Sequence, residues 1–170
     1  MVETLNPKMI TLARESKGLT QRDLAEMINI SSANISYLEE GTRTVTPDIE
    51  EALATALDFP KTFFYQKGET YPANLTYRRR VTIPAKVMNI IEASMNIYRL
   101  NINTIQASLK LQSHNIPVFE LQEYGSAEKI AMAVRKYWNI KKGTIENLTE
   151  LLENQGAVIV RTSLVDKIDG

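Results

Sequence analysis

The chain has 170 residues, of which 20 are basic and 20 acidic, so its net charge is zero. That length suffices for one medium domain or two small ones. The absence of cysteine excludes a disulfide scaffold, and a single histidine cannot supply the imidazoles of most catalytic zinc sites. No apolar run approaches the roughly 20 residues of a membrane span, and the N-terminus lacks the features of a signal peptide. We therefore expect a cytoplasmic protein without a cofactor or a metal.

The charge is unevenly distributed along the chain. Residues 1–66 hold six basic and ten acidic residues, a net of −4, whereas residues 67–125 hold seven and four, a net of +3. Residues 126–170 hold seven and six, a net of +1. The middle segment contains a run of three arginines, Arg78, Arg79 and Arg80. This run has two interpretations: phosphate contacts along a nucleic acid, or a solvated linker that pairs with acidic surface.

The first 66 residues predict five short helices. Their starts are marked by capping residues and prolines, namely Asn6 with Pro7, Thr20 with Asp23, Ser31, Thr46 with Pro47, and Pro60. Apolar residues recur at helical spacing within each segment. We expect them to form the core: Met9, Ile10, Ala13, Leu24, Ala25, Ile28, Ile35, Leu38, Ile49, Leu53, Ala56, Leu57, Phe63 and Phe64.

The remainder of the chain predicts a linker, a long helix and a smaller helical region. Residues 67–83 are typical of a linker, and residues 84–111 show one continuous helical pattern. The broad apolar face of this helix needs a partner, either the helices that follow or a second copy of the chain. Residues 84–124 then form the long helix and a connector, interrupted near Pro117.

Residues 125–170 predict two helices and one strand. Ser126 and Thr144 are placed to cap the helices, and Gly156 is placed to end the second one in a left-handed conformation. The run Ala157–Val160 is apolar throughout and predicts a strand covered on both faces. Because no partner strand follows, we expect residues 125–170 to be the first part of a domain that continues beyond them.

The segment 21–40 has the spacing of a helix-turn-helix. Ala25 lies where the two helices cross closely, and only a small side chain fits there. Asn29 lies at the turn, where a positive φ is needed and asparagine tolerates it. Ile35 follows six residues later and fills the wedge between the helices. This combination predicts a helix-turn-helix in which the second helix reads DNA.

Several short motifs extend this pattern beyond the two helices: Leu19-Thr20-Gln21, Leu24-Ala25, Ile30-Ser31, Ile35-Ser36 and Leu38-Glu39-Glu40-Gly41. With them, residues 7–66 resemble the Xre/Cro/C1 family of phage-repressor-like DNA-binding domains. The resemblance implies a lambda-repressor-like bundle of five helices that binds operator DNA, usually as a dimer. The alternative interpretation is a small helical bundle without this function.

The predicted recognition helix spans residues 31–40 and would enter the major groove. With Ile35 and Leu38 inward, the outward residues are Ser32, Ala33, Ser36 and Tyr37, which are uncharged and able to approach base edges. The resemblance implies that Ser32, Ala33 and Tyr37 face the bases and that Gln21 binds a phosphate. Ser31 and Arg43 are further candidates for phosphate contacts, as are Arg78, Arg79 and Arg80.

The segment also departs from the family pattern. The loop after the recognition helix, Gly41–Val45, contains one basic residue where this family is often richer in lysine and arginine. Ser32 and Ala33 read bases weakly compared with glutamine or arginine. We therefore expect modest affinity for each half-site and reliance on dimerisation or on basic residues elsewhere.

Residues 63 onward resemble proteins that fuse an Xre-type domain to an ImmA/IrrE-type metallopeptidase domain. The resemblance rests on Phe63-Phe64-Tyr65, Tyr77 to Arg80, the long helix and the stretch from Glu153 to Val160. It implies a zinc peptidase with a His-Glu-x-x-His helix, which is absent here, since Asn115 follows the single His114. We therefore expect no catalytic residues in this chain, although a longer parent protein would carry the peptidase.

The sequence thus predicts a mainly α protein with four parts. These are a helix-turn-helix domain (1–66), a linker (67–83), a long helix with its connector (84–124), and a truncated helical region with one short strand (125–170). The predicted function is that of a sequence-specific DNA-binding transcriptional regulator acting as a homodimer. The alternatives are an enzyme of the peptidase type and a module that binds a protein such as a toxin or another repressor.

Overall fold

The described part of the chain is almost entirely helical. A computed structural model describes residues 4–70, 78–79, 84–109, 114–162 and 168–169. It forms two compact units, one of Met1–Ser108 with Thr162–Gly170 and the other of Leu109–Arg161. The described helices include none that is both long enough and apolar enough to cross a membrane.

The N-terminal helices begin where the sequence predicts. They are α1 (Pro7–Ser16), α2 (Gln21–Met27), α3 (Ser32–Glu39) and α4 (Pro47–Leu57), followed by a 3₁₀ helix (Lys61–Tyr65). Each of these four α-helices is capped by a side chain that accepts a backbone N–H of the first turn. The capping residues are Asn6, Thr20, Ser31 and Thr46 respectively. The predicted fifth helix is a short 3₁₀ helix. It ends at Tyr65, since the backbone is extended at Gln66.

The core of this unit lies among these helices and contains most of the predicted residues. Its fully buried members are Met9, Ile10, Ala13, Leu24, Ile35, Leu38, Leu53, Leu57 and Phe64. Ile28, Ile49 and Ala56 are only partly buried and pack against its edge. Burial of one such large apolar side chain contributes about 1.5–3 kcal/mol. The core thus fixes the relative positions of the four α-helices and the 3₁₀ helix.

The long helix α5 (Ala85–Leu109) packs on the helices that precede it. Its Ala93 and Leu100 belong to the buried core of the first unit. The sequence suggested the following helices or a second copy of the chain as partners; within the first unit, the preceding helices cover part of this face. The predicted apolar stripe is correct in part, since Ile91 is buried whereas Ile105 is 54% exposed.

A short strand pair lies in the first unit. Strands β1 (Arg78–Arg79) and β2 (Ile168–Asp169) pair antiparallel, with Arg78 opposite Asp169. Arg80 lies outside the described residues. The predicted strand over 157–160 is not confirmed, because those residues have an irregular conformation and no neighbouring strand in the described part of the chain.

The described residues of the second unit form three short helices. They are α6 (Leu121–Tyr124), which the sequence did not predict, α7 (Ala127–Tyr137) and α8 (Leu148–Asn154). The cap of α7 at Ser126 is confirmed. The predicted cap at Thr144 is wrong, because Asn147 accepts the N–H of Glu150 at 3.1 Å and starts α8 there. Gly156 has a φ of 84°, which confirms its predicted left-handed conformation.

The close crossing of α2 and α3 makes Ala25 intolerant of a larger side chain. Ala25 is 2% exposed, so we expect Ala25→Leu to lower the free energy of unfolding by about 1–3 kcal/mol through overpacking. Met27→Leu is the matched control, because Met27 lies in the same helix and is 53% exposed. Urea unfolding followed by circular dichroism measures both. An Ala25→Leu protein as stable as the control would contradict the close crossing.

Candidate nucleic-acid interface

The turn between α2 and α3 has the predicted geometry. Asn29 has a φ of 55°, the left-handed conformation that the sequence assigns to it. The N–H of Ile30 donates to the carbonyl of Ala25 at 3.0 Å and closes the end of α2. Ile35 and Leu38 are fully buried on the inner face of α3. The turn and these two side chains together determine which face of α3 remains open.

The first side chains on the open face of α3 are small and uncharged. Ser32 and Ala33 are exposed, and Tyr37 is 50% exposed. The Ser36 hydroxyl is partly exposed and donates to Glu40 Oε1 at 2.8 Å. All four predicted outward residues therefore lie at least partly at the surface, and the first two leave room for another molecule to approach the backbone.

Two further predicted residues border this face. The Ser31 hydroxyl caps α3 by accepting the N–H of Asn34 at 3.3 Å. Arg43 donates from Nη1 to Asn34 Oδ1, and its backbone N–H donates to the carbonyl of Tyr37 at 3.2 Å. Arg43 is thus held beside the exposed face of α3 rather than extended away from it.

Gln21 is held by a buried ion pair that the sequence did not predict. Glu39 accepts from Arg14 Nε at 2.6 Å and from Arg14 Nη2 at 3.0 Å, which makes the pair bidentate. The Gln21 amide donates to the same carboxylate at 2.9 Å. The side chains of Arg14 and Glu39 are only 9% and 6% exposed. One carboxylate at the end of α3 therefore joins α1, α2 and α3.

The remaining donors of Arg14 are also engaged. Nη1 donates to the carbonyl of Leu19 at 2.8 Å, and Nη2 lies 3.5 Å from Glu15 Oε1. Burial lowers the pKa of Arg14, but the hydrogen bonds and the charge of Glu39 outweigh this effect, and the net pKa is raised. The guanidinium therefore stays charged and satisfied inside the protein, as a buried charge requires. A faint sequence signal exists, because Arg14 lies four residues after Ile10 on the inner stripe of α1.

A groove lies beside Gln21 on the surface of the first unit. It has a volume of about 580 Å³, and its lining includes Gln21, Arg22, Ser32, Lys86 and Asn89. The last two residues belong to α5, and no pattern in the sequence predicted that they lie near α2. The arrangement therefore joins residues of the helix-turn-helix with residues of the long helix.

Comparison with known families bears on this arrangement. A family model described as HTH_3, Helix-turn-helix, matches residues 10–64. These residues form a helix-turn-helix domain. The match supports DNA binding and a role in transcription regulation, in agreement with the Xre-like resemblance of the motifs. Neither the comparison with curated proteins nor that with solved structures found a match.

The resemblance to an ImmA/IrrE-type peptidase receives no support from the comparisons. Within the described ranges, histidine, aspartate and glutamate side chains form no group of three or more that is arranged to hold a metal ion. His114 lies instead in a loop of the second unit, and its backbone faces Gly156, where an added Cβ would come within 2.7 Å of His114 Cα. Its position is thus accounted for by local packing.

The buried ion pair predicts strong coupling between its two members. Arg14→Leu leaves the Glu39 carboxylate buried without a cation, so we expect the free energy of unfolding to fall by about 3–5 kcal/mol. The double variant Arg14→Leu/Glu39→Leu should lose clearly less than the sum of the two single variants. Urea unfolding of all four proteins measures this coupling.

The exposed pair of Arg22 and Glu26 provides the matched control. Its Nε–Oε1 distance is 2.9 Å, but the two side chains are 83% and 66% exposed. Because solvent screens such a pair, Arg22→Leu should leave the unfolding midpoint nearly unchanged. Strictly additive losses at Arg14 and Glu39 would contradict the proposed coupling.

Proposed function

We propose that this chain is a sequence-specific DNA-binding transcriptional regulator whose recognition helix, residues 31–40, enters the major groove. The observation that carries the proposal is the face of α3. Ile35 and Leu38 anchor one side of the helix in the core, while Ser32, Ala33 and Tyr37 stay exposed on the other. An α-helix fits the major groove, and short or amphipathic side chains allow a close approach to base edges.

The proposal divides the interface residues into two roles. Ser32, Ala33, Ser36 and Tyr37 contact base edges, and Tyr37 is the strongest reader because its phenol offers a ring and a hydroxyl. Gln21, Ser31 and Arg43 contact phosphates and set the register of the helix on the duplex. This division follows from their positions, since the second group borders the exposed face of α3 rather than lying at its centre.

The hydrogen bonds that Gln21 and Ser31 already make are compatible with phosphate contacts. Gln21 donates one amide hydrogen to Glu39, and the amide retains a second one for a phosphate. The Ser31 hydroxyl accepts the N–H of Asn34, which leaves its own hydrogen free to be donated. In this proposal Glu39 acts as a positioning residue, because it orients Gln21 without contacting DNA itself.

We also propose that two copies of the chain act together. One helix with few strong base readers gives limited discrimination, and two half-sites on one duplex multiply it. The half-sites would be about 34 Å apart, one turn of B-DNA. A dimeric regulator of this kind works in the cytoplasm, where its DNA is found.

Two alternative functions would each be favoured by a different experimental result. A chain that binds no duplex DNA at low salt would favour the protein-binding module, with a toxin or another repressor as its partner. A zinc peptidase in a longer parent requires His-Glu-x-x-His on a helix, and the reading frame beyond residue 170 tests that hypothesis directly.

Arg43 should contribute to the affinity for all DNA sequences alike. We expect Arg43→Ala to weaken binding to specific and unrelated duplexes by the same factor and to reduce the slope of log K against log salt by about 0.9, one phosphate contact. Fluorescence anisotropy at several salt concentrations measures this slope. Lys61→Gln is the control, because Lys61 is exposed on the 3₁₀ helix and pairs with Glu51. Equal slopes for Arg43→Ala and wild type would exclude the phosphate contact.

Tyr37 should instead determine sequence preference. We expect Tyr37→Ala to change the preferred bases in a selection from randomised duplexes while leaving the salt slope unchanged, because base contacts release no counterions. Tyr137→Ala is the matched control, since Tyr137 is 53% exposed and Tyr37 50%. If Tyr37→Ala altered neither affinity nor preference, the assignment of the outward face would be wrong.

A further inference from the structure

The groove beside Gln21 brings the long helix next to the helix-turn-helix. Lys86 and Asn89 lie in the first turns of α5 and line the same groove as Gln21, Arg22 and Ser32. Both α5 residues are exposed. They lie outside residues 10–64, the part that matches the helix-turn-helix family. The groove thus continues the proposed DNA-facing surface onto a separate element.

Gly18 allows α5 to come this close. Its φ is +66°, and a Cβ added there would lie 2.8 Å from Ile90 Cδ1 and 3.5 Å from Lys86 Cε. A side chain at this position would require the tip of Ile90 to shift, and the positive φ favours glycine whatever the space. The stem of Lys86 is therefore positioned by the contact between α5 and the end of α1.

The charges around the groove leave Lys86 available for a ligand. Arg14 is neutralised by Glu39 at 2.6 Å, and Arg22 pairs with Glu26 at 2.9 Å. The carboxylate in the lining of the groove is that of Glu15, which lies 3.5 Å from Arg14 Nη2. Lys86, by contrast, has no carboxylate within 4 Å among the residues that the structure describes. Its ammonium is the one lysine charge in the lining of this groove.

The ammonium of Lys86 also has a weak electrostatic effect on the carboxylate of Asp23. The backbone N–H and the hydroxyl of Thr20 lower the pKa of Asp23, and Lys86 adds a smaller effect in the same direction. Asp23 accepts the N–H of Thr20 at 2.8 Å as part of the cap of α2. Its carboxylate is therefore committed to the cap of α2 and is not an ion-pair partner of Lys86.

We propose that Lys86, with Asn89, binds a backbone phosphate of the DNA whose neighbouring phosphate is bound by Gln21. This inference rests on the proposed function. An ammonium and two amide groups lining one groove supply the donors that phosphate oxygens accept. The long helix then has a second role besides packing: it extends the phosphate-binding surface and supplies positive charge from the basic middle segment to an acidic reading domain.

The salt dependence of DNA binding by the full chain tests this proposal. We expect Lys86→Gln to reduce the slope of log K against log salt by about 0.9, equally for specific and unrelated duplexes. Lys86→Glu should weaken binding further, because it places a second carboxylate near Asp23. Asn89→Ala should lower the affinity without changing the slope, because an uncharged amide releases no counterion. Lys61→Gln serves as the control and should match the wild type.

The outcomes separate this inference from the function on which it rests. If wild-type protein shows no salt-sensitive binding to duplex DNA, the proposed function itself fails. If the wild type binds and Lys86→Gln has the slope and affinity of Lys61→Gln, only the contact from α5 is refuted. Thermal unfolding of each variant shows that it is folded. A loss of affinity in Lys86→Gln confined to one DNA sequence would also overturn the proposal, since it would indicate a base contact.

Discussion

The structure of the helix-turn-helix unit depends on the ion pair that the Glu39 carboxylate forms with Arg14 at the end of α3. Glu39 receives a bidentate pair from Arg14 and an amide hydrogen from Gln21, in a place where both charges are almost excluded from water. Apolar attraction is non-directional, and cores tolerate substitutions that keep total volume and patterning. A buried ion pair adds a directional requirement, because it is satisfied only when α1, α2 and α3 have one relative position. The pair therefore helps to determine which face of α3 is exposed.

In the proposed interface the helix-turn-helix provides a rigid shape, and basic residues provide the attraction to phosphate. The helix-turn-helix segment supplies shape, through the turn at Asn29 and the inward Ile35 and Leu38, but its sequence 1–66 has a net charge of −4. Attraction to phosphate has to come from individual cations near the contact, because charges beyond a Debye length of about 8–10 Å are screened. In our proposal Arg43, which follows α3 in the chain, and Lys86, which lies on the long helix, supply these cations.

Local signals predicted much of this fold. Caps at Asn6, Thr20 and Ser31, and the left-handed Asn29, depend on neighbouring residues only, so the sequence sufficed for them. The pair of Arg14 with Glu39 joins residues 25 positions apart, and the packing of Gly18 against Ile90 spans a longer separation still. Such contacts depend on tertiary packing, which periodicity does not reveal. The strand at 157–160 failed for a related reason, because a strand requires a neighbour and apolar composition alone does not provide one.

Chemical footprinting shows directly whether α3 enters the major groove. Dimethyl sulfate methylates guanine at N7 in the major groove and adenine at N3 in the minor groove, positions that report the two grooves separately. With a duplex selected for tight binding, we expect protection of guanine N7 in two patches about 10–10.5 base pairs apart, with adenine N3 still reactive there. Tight binding that protects adenine N3 and leaves guanine N7 fully reactive would contradict it.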